Sequence, residues 1–118
     1  YKRQILGGDF NVILTDKDVY DPEAYRHDAL FREEVRQKLT ALQYLGYYDA
    51  FRVLHPELNG YTFWEYGGGA LTTDKGMRID YLWLSPDAAD MLVSCDVDMI
   101  PRRGIKPSDH TVLKAILE

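Results

Sequence analysis

The chain is poor in cysteine. Cys95 is the only one in 118 residues, so no disulfide can close within the chain, and a reducing cytoplasm is the expected setting. With no histidine near it in sequence, Cys95 is expected to be a small buried hydrophobe, not a nucleophile. Long apolar runs are missing too. None approaches the roughly 20 residues that a membrane span needs, so no membrane partner is expected. Positive charge is in deficit: 14 Lys and Arg stand against 19 Asp and Glu, a net charge of −5. That balance argues against binding nucleic acid through overall charge alone. It leaves room for a local basic lip built from the late cluster Lys75, Arg78, Arg102, Arg103 and Lys106.

What is present is globular. A hydrophobic content of 46% and an aromatic content of 13% exclude a disordered tail, and the length fits one domain over 1–118. The chain starts at Tyr1, already inside a strand pattern, which leads us to expect a segment of a longer protein. "RQILGGDFN" reads as a strand ending in a glycine-rich turn. Residues 12–27 lack a period and read as an exposed loop. Its Asp16, Asp18 and Asp21 lack the glycine and terminal glutamate of a calcium loop, so they read as solvated acids. From Asp28 as N-cap, Phe31, Val35, Leu39 and Leu42 form one apolar stripe, predicting a helix stopped by Gly46. "YYDAFRVLHPELNG" reads as a loop with a hydrophobic seat. "YTFWEY", "MRIDYLWL", "VSCDVDMI" and "TVLKAIL" read as strands, with a short helix opened by Pro86 over 86–92.

Four islands place polar residues where the pattern wants apolar ones: "GGDFN" (7–11), "YTFW" (61–64), "RIDY" (78–81) and "PSDH" (107–110). If the backbone stays extended, Asp9 and Asn11 project from one face at a strand end, where they can hold a cation or water and donate to an anion. An ordinary Asx turn is the bland alternative. In "MRIDYLWL", alternation puts Asp80 on a face with Arg78, Leu82 and Leu84. A carboxylate there needs a partner, either Arg78 or a histidine such as His110. His27 and His55 read as surface or turn residues. Asp109 and His110 are adjacent and point to opposite sides of an extended segment, so they do not read as a dyad.

These islands, in this order, resemble the C-terminal half of the exonuclease III family of abasic-site endonucleases, within the endonuclease/exonuclease/phosphatase superfamily. The resemblance spans essentially the whole chain, and "YTFW" with "RIDY" narrows it to the DNA-repair branch. It implies an α+β sandwich of four layers, of which this segment supplies one half: a mixed β-sheet covered by helices. It implies magnesium-dependent hydrolysis (manganese as a substitute) of double-stranded DNA at abasic sites and 3′ ends. Asp9 would orient or deprotonate water, Asn11 would bond the phosphate, His110 would contact phosphate or metal, and Asp80 would hold His110. Asp9, Asn11, Asp109 and His110 would serve the metal. Phe63, Trp64, Met77 and Arg78 would line the abasic-sugar pocket, with sheet core the alternative for Phe63 and Trp64. Lys75 and Arg78 would serve the lip or, equally, structural salt bridges. The metal ligand and catalytic tyrosine of the family's first half cannot be located here, so the segment alone is expected to be nearly inactive and to need that half, or self-association. Another phosphodiesterase of small molecules or lipid head groups, and a non-catalytic module with relic residues, remain the alternatives.

Overall fold

Helical and strand periodicities alternate along the chain, and the structure realises both. The computed structural model describes residues 2–118. The chain runs through β1 (Ile5–Asp9), α1 (Glu33–Tyr44), β2 (Tyr48–Asp49), α2 (Ala50–Leu54), β3 (Phe63–Trp64) and β4 (Gly76–Met77). It continues through β5 (Asp80–Leu84), α3 (Pro86–Ala89), β6 (Leu92–Asp98) and β7 (Val112–Leu117). The α+β class is as expected. Every strand pairing among the described residues is antiparallel, so the single mixed sheet expected is instead three ladders: β1-β5-β2, β3-β4 and β6-β7. No described helix is long and apolar enough to cross a membrane.

Strand β5 is the centre. Its alternation sends Tyr81 and Trp83 into a cluster with Val12, Leu14 and Leu39, against α1. Leu82 and Leu84 go the other way, into a cluster with Ala50, Phe51, Ala88 and Cys95 that the β6-β7 hairpin closes. Because both faces are covered, the strand reads apolar on both sides.

Several elements differ from their sequence expectation. The stripe from Phe31 to Leu42 is not one helix. Asp28 caps a single 3-10 turn, Ala29–Phe31, and Arg32 is extended (φ −67°, ψ 142°) before α1 begins. The break lets Phe31 turn into a different cluster, with Ile13, Val19, Met77 and Ile79. The helix end is as expected. Gly46 has φ +100°, Tyr47 N–H bonds Leu42 C=O, and Gly46 N–H bonds Gln43 C=O. That is a Schellman ending, whose left-handed residue favours glycine. The stretch expected as a loop with a hydrophobic seat contains α2, capped by Asp49.

Residues 12–27 are the solvated loop expected only in part: Asp16, Asp21 and most of 20–27 are exposed, while other residues turn inward. Val12, Ile13, Leu14, Val19 and Asp18 are buried. Asp18 accepts from Arg78 Nε at 2.8 Å and from Arg52 Nη2 at 2.7 Å, while Asp49 takes the two terminal nitrogens of Arg78 at 3.0 and 2.7 Å. This charge network also explains why the strand expected over 77–84 is split. Burial works against the Arg78 charge, yet the Asp49 hydrogen bond and the Asp49 and Asp18 charges hold the guanidinium firmly protonated. Its own N–H bonds Asp18 C=O, outside any ladder.

Removing one partner of such a buried network strands the others. Asp49→Ala in the full-length protein is expected to cost about 3 kcal/mol in denaturant unfolding. Exposed Asp16→Ala should cost under about 0.5 kcal/mol. Cys95 is fully buried, and burial, followed by the Asp49 and Asp96 charges, pushes its thiol up to about 12. Alkylation by iodoacetamide at neutral pH should therefore be absent in the folded protein and complete in denaturant.

Candidate active site

Antiparallel register sets the site. In the β1-β5 ladder Asp9 stands opposite Asp80, the last rung before both strands end. Like charges directly opposite repel unless something lies between them. The imidazole of His110 fills that role: Nδ1 is 2.8 Å from Asp80 Oδ2, and Nε2 is 3.5 Å from Asp9 Oδ2. Asp109 Oδ1 lies 3.9 Å from the same Nε2, so two carboxylates flank that nitrogen while a third holds the far side of the ring. The ring is partly open to solvent, and Asp80 is the most covered of the three acids. Phe63 packs edge-on against the imidazole at 5.2 Å, and its backbone bridges that of His110.

The histidine, not Arg78, is therefore the partner of Asp80, and the adjacent Asp109–His110 pair forms no close bond. Ligand atoms of Asp9, Asp80 and His110 lie within 4.8 Å of one another. Asp109, expected with Asp9 and His110 as a metal ligand, stands outside that group. Asn11 is in the left-handed region (φ +52°) because the strand ends at Asp9, so the extended, same-face geometry expected for the two residues does not hold. Its N–H bonds Asp9 Oδ1 at 2.9 Å, an Asx turn that aims the carboxylate. Asp80 Oδ2 is engaged with Nδ1, while Asp9 and Asp109 offer carboxylate oxygens to a hard divalent cation on either side of Nε2. One or two carboxylates with water are enough for such an ion, and this donor set fits it.

Of the four residues expected at an abasic-sugar pocket, only Phe63 lies half-buried beside the histidine. Alternation turns Trp64 to the opposite face, where its indole N–H donates to Asp74 at 3.0 Å. Met77 is core, packed with Ile13, Val19 and Phe31. Arg78 is 1% exposed with its guanidinium spent on Asp18 and Asp49, so neither pocket nor lip can use it. Lys75 is exposed.

Residues 1–110 match the Endonuclease/Exonuclease/phosphatase family. The chain belongs to that family. It is 32% identical over 117 residues to an exodeoxyribonuclease of Bacillus subtilis, covering 98% of this chain and 45% of that protein. A zebrafish (Danio rerio) DNA repair nuclease is 39% identical over 117 residues, covering 98% and 36%. Among solved structures, a Neisseria 3′ phosphatase bound to a product DNA hairpin superposes with TM-score 0.96 at 34% identity, over 100% of this chain and 46% of that one. An AP endonuclease from Archaeoglobus fulgidus gives 0.92 at 34%, over 97% and 45%. The chain thus spans less than half the length of these members of the endonuclease/exonuclease/phosphatase family.

Within this family framework, sequence reasoning missed Thr62. The residue is fully buried, and its Oγ1 accepts the N–H groups of Ile79 and Asp80, each at 3.3 Å. Its carbonyl accepts Thr111 N–H at 2.8 Å. One threonine therefore ties the strand of Asp80 to the segment of His110. The only sequence signal was a small hydroxyl residue inside "YTFW". Thr62→Val keeps the shape and strands two buried donors, at a cost of about 1–3 kcal/mol in denaturant unfolding. Thr62→Ser should stay close to wild type.

Proposed function

We propose that this chain is part of a divalent-metal-dependent DNA-repair nuclease. It would hydrolyse a phosphodiester on the 5′ side of an abasic site in double-stranded DNA, and trim or clean 3′ ends. The observation that carries this reading is the His110 imidazole suspended between Asp80 and Asp9, at 2.8 and 3.5 Å. The exodeoxyribonuclease and DNA-repair names of the relatives, and a structural neighbour bound to a DNA hairpin, support it.

In this mechanism Asp9, aimed by the Asn11 N–H, orients the attacking water and takes its proton. Asp80 fixes the ring through Nδ1, leaving Nε2 to meet the phosphate, and in its charged form Nε2 donates to a phosphate oxygen. The Asn11 amide donates to the same group as negative charge builds. Magnesium, or manganese through the same oxygen donors, would be held by Asp9 and Asp109, with Asn11 and His110 at its margin. When bound, the ion neutralises charge on the phosphate. Exposed Lys75, Arg103 and Lys106 supply a basic lip for the duplex on an otherwise acidic chain.

A further segment of the same protein belongs to the reading. All five residues of β1 are exposed, and Ile5, Leu6, Val112 and Ile116 are 40–52% exposed, which is apolar surface fit for burial. We therefore assign the activity to the full-length protein and not to this segment alone.

The test is incision of a duplex carrying one abasic analogue, beside a duplex ending in a 3′-phosphate, by the full-length protein with magnesium. Cleavage on the 5′ side of the lesion is expected, along with release of the terminal phosphate. Asp9→Ala and His110→Ala should each lower kcat by about 10³-fold or more while duplex affinity changes little. An intact duplex together with hydrolysis of an inositol phosphate or lipid would refute the reading. Unchanged rates in both variants would mark the site residues as relics.

A further inference from the structure

Among the described residues two arginines are buried, and they are treated differently. Arg78 is matched by two carboxylates. Arg102, on the 3-10 turn Pro101–Arg103, is 5% exposed and pairs with no carboxylate among the described residues. Its Nη2 donates to Trp64 C=O at 3.0 Å, and its Nε is buried without a partner. The guanidinium lies over the Tyr66 ring, 5.6 Å from the centroid. A buried cation held by one carbonyl and one ring is an expensive way to gain stability, since an apolar side chain would fill the space at less cost.

Its neighbours show what it does hold. The same Trp64 whose carbonyl takes Arg102 donates its N–H to Asp109 C=O at 3.0 Å, and the residue before it, Phe63, bridges His110. The Tyr66 over which Arg102 lies donates its hydroxyl to Pro107 C=O at 3.2 Å. The turn Pro107–His110 is therefore gripped at both ends, through Tyr66 and through Trp64, and Arg102 contacts both grips. We propose that Arg102 is a positioning residue for His110, fixing the Pro107–His110 turn so that the imidazole reaches Asp80 on one side and Asp9 on the other. It touches no reacting atom. The proposal rests on the nuclease reading for its kinetic consequence and on geometry alone for its structural one.

The full-length protein and its Arg102→Met, Arg102→Lys and Tyr66→Phe variants test it, with kinetics on the abasic duplex and ¹⁵N NMR of the His110 ring. Wild type should show one tautomer, protonated at Nδ1 toward Asp80. Arg102→Met should give an averaged ring signal, with kcat lower by about 10- to 100-fold and KM within about twofold. Arg102→Lys should restore part of both, and Tyr66→Phe should move both in the same direction by less. If Arg102→Met does not fold, the other two variants carry the test. An unchanged ring signal and kcat with only a lower melting temperature would overturn the proposal. A raised KM at constant kcat would overturn it too, by making Arg102 a DNA contact. If the ring signal responds while the wild type cuts no DNA, the positioning role stands and the nuclease reading falls.

Discussion

The end of the β1-β5 ladder forces two carboxylates, Asp9 and Asp80, to face each other across one rung. Water cannot fully screen them there, because Asp80 is largely covered. The His110 ring between them resolves the conflict, and much of the surrounding structure serves to bring that ring to that place. Thr62 joins the Asp80 strand to Thr111. Phe63 pairs with His110 through the backbone, and Trp64 and Tyr66 hold the turn before it.

A second constraint keeps this corner apart from the rest of the sheet. Arg78 interrupts what would otherwise be one long strand, and its grip on Asp18 and Asp49 draws two chain segments onto β5. Before the break, β4 pairs with β3 and so with the His110 segment.

These particulars explain what could be read from the chain and what could not. Gly46 was legible as a stop because a left-handed residue at that place favours glycine. The Asp80–His110 pairing was legible because period-2 alternation left Asp80 on an apolar face with few partners to choose from. The face shared by Asp9 and Asn11 requires an extended backbone, and the Asx turn at Asp9 ends it. The helix start was misread because the spacing of Phe31 fits a helix, although its side chain belongs to another cluster. Residues 12–27 looked polar by composition. The signal that Asp18 is buried lies sixty residues away in Arg78, and no local pattern carries it. For Arg78 the sequence leaves a DNA lip and a structural salt bridge equally open, and the distant acids Asp18 and Asp49 decide for the salt bridge.

The central claim is that Asp80 acts through His110 and not independently of it. A double-mutant cycle on kcat for incision of the abasic duplex measures this directly, with Asp80→Ala, His110→Ala and the double variant made in the full-length protein. The account predicts that the double variant is no slower than His110→Ala alone, because without the imidazole Asp80 has nothing to hold. A double variant slower by the product of the two single effects would contradict it.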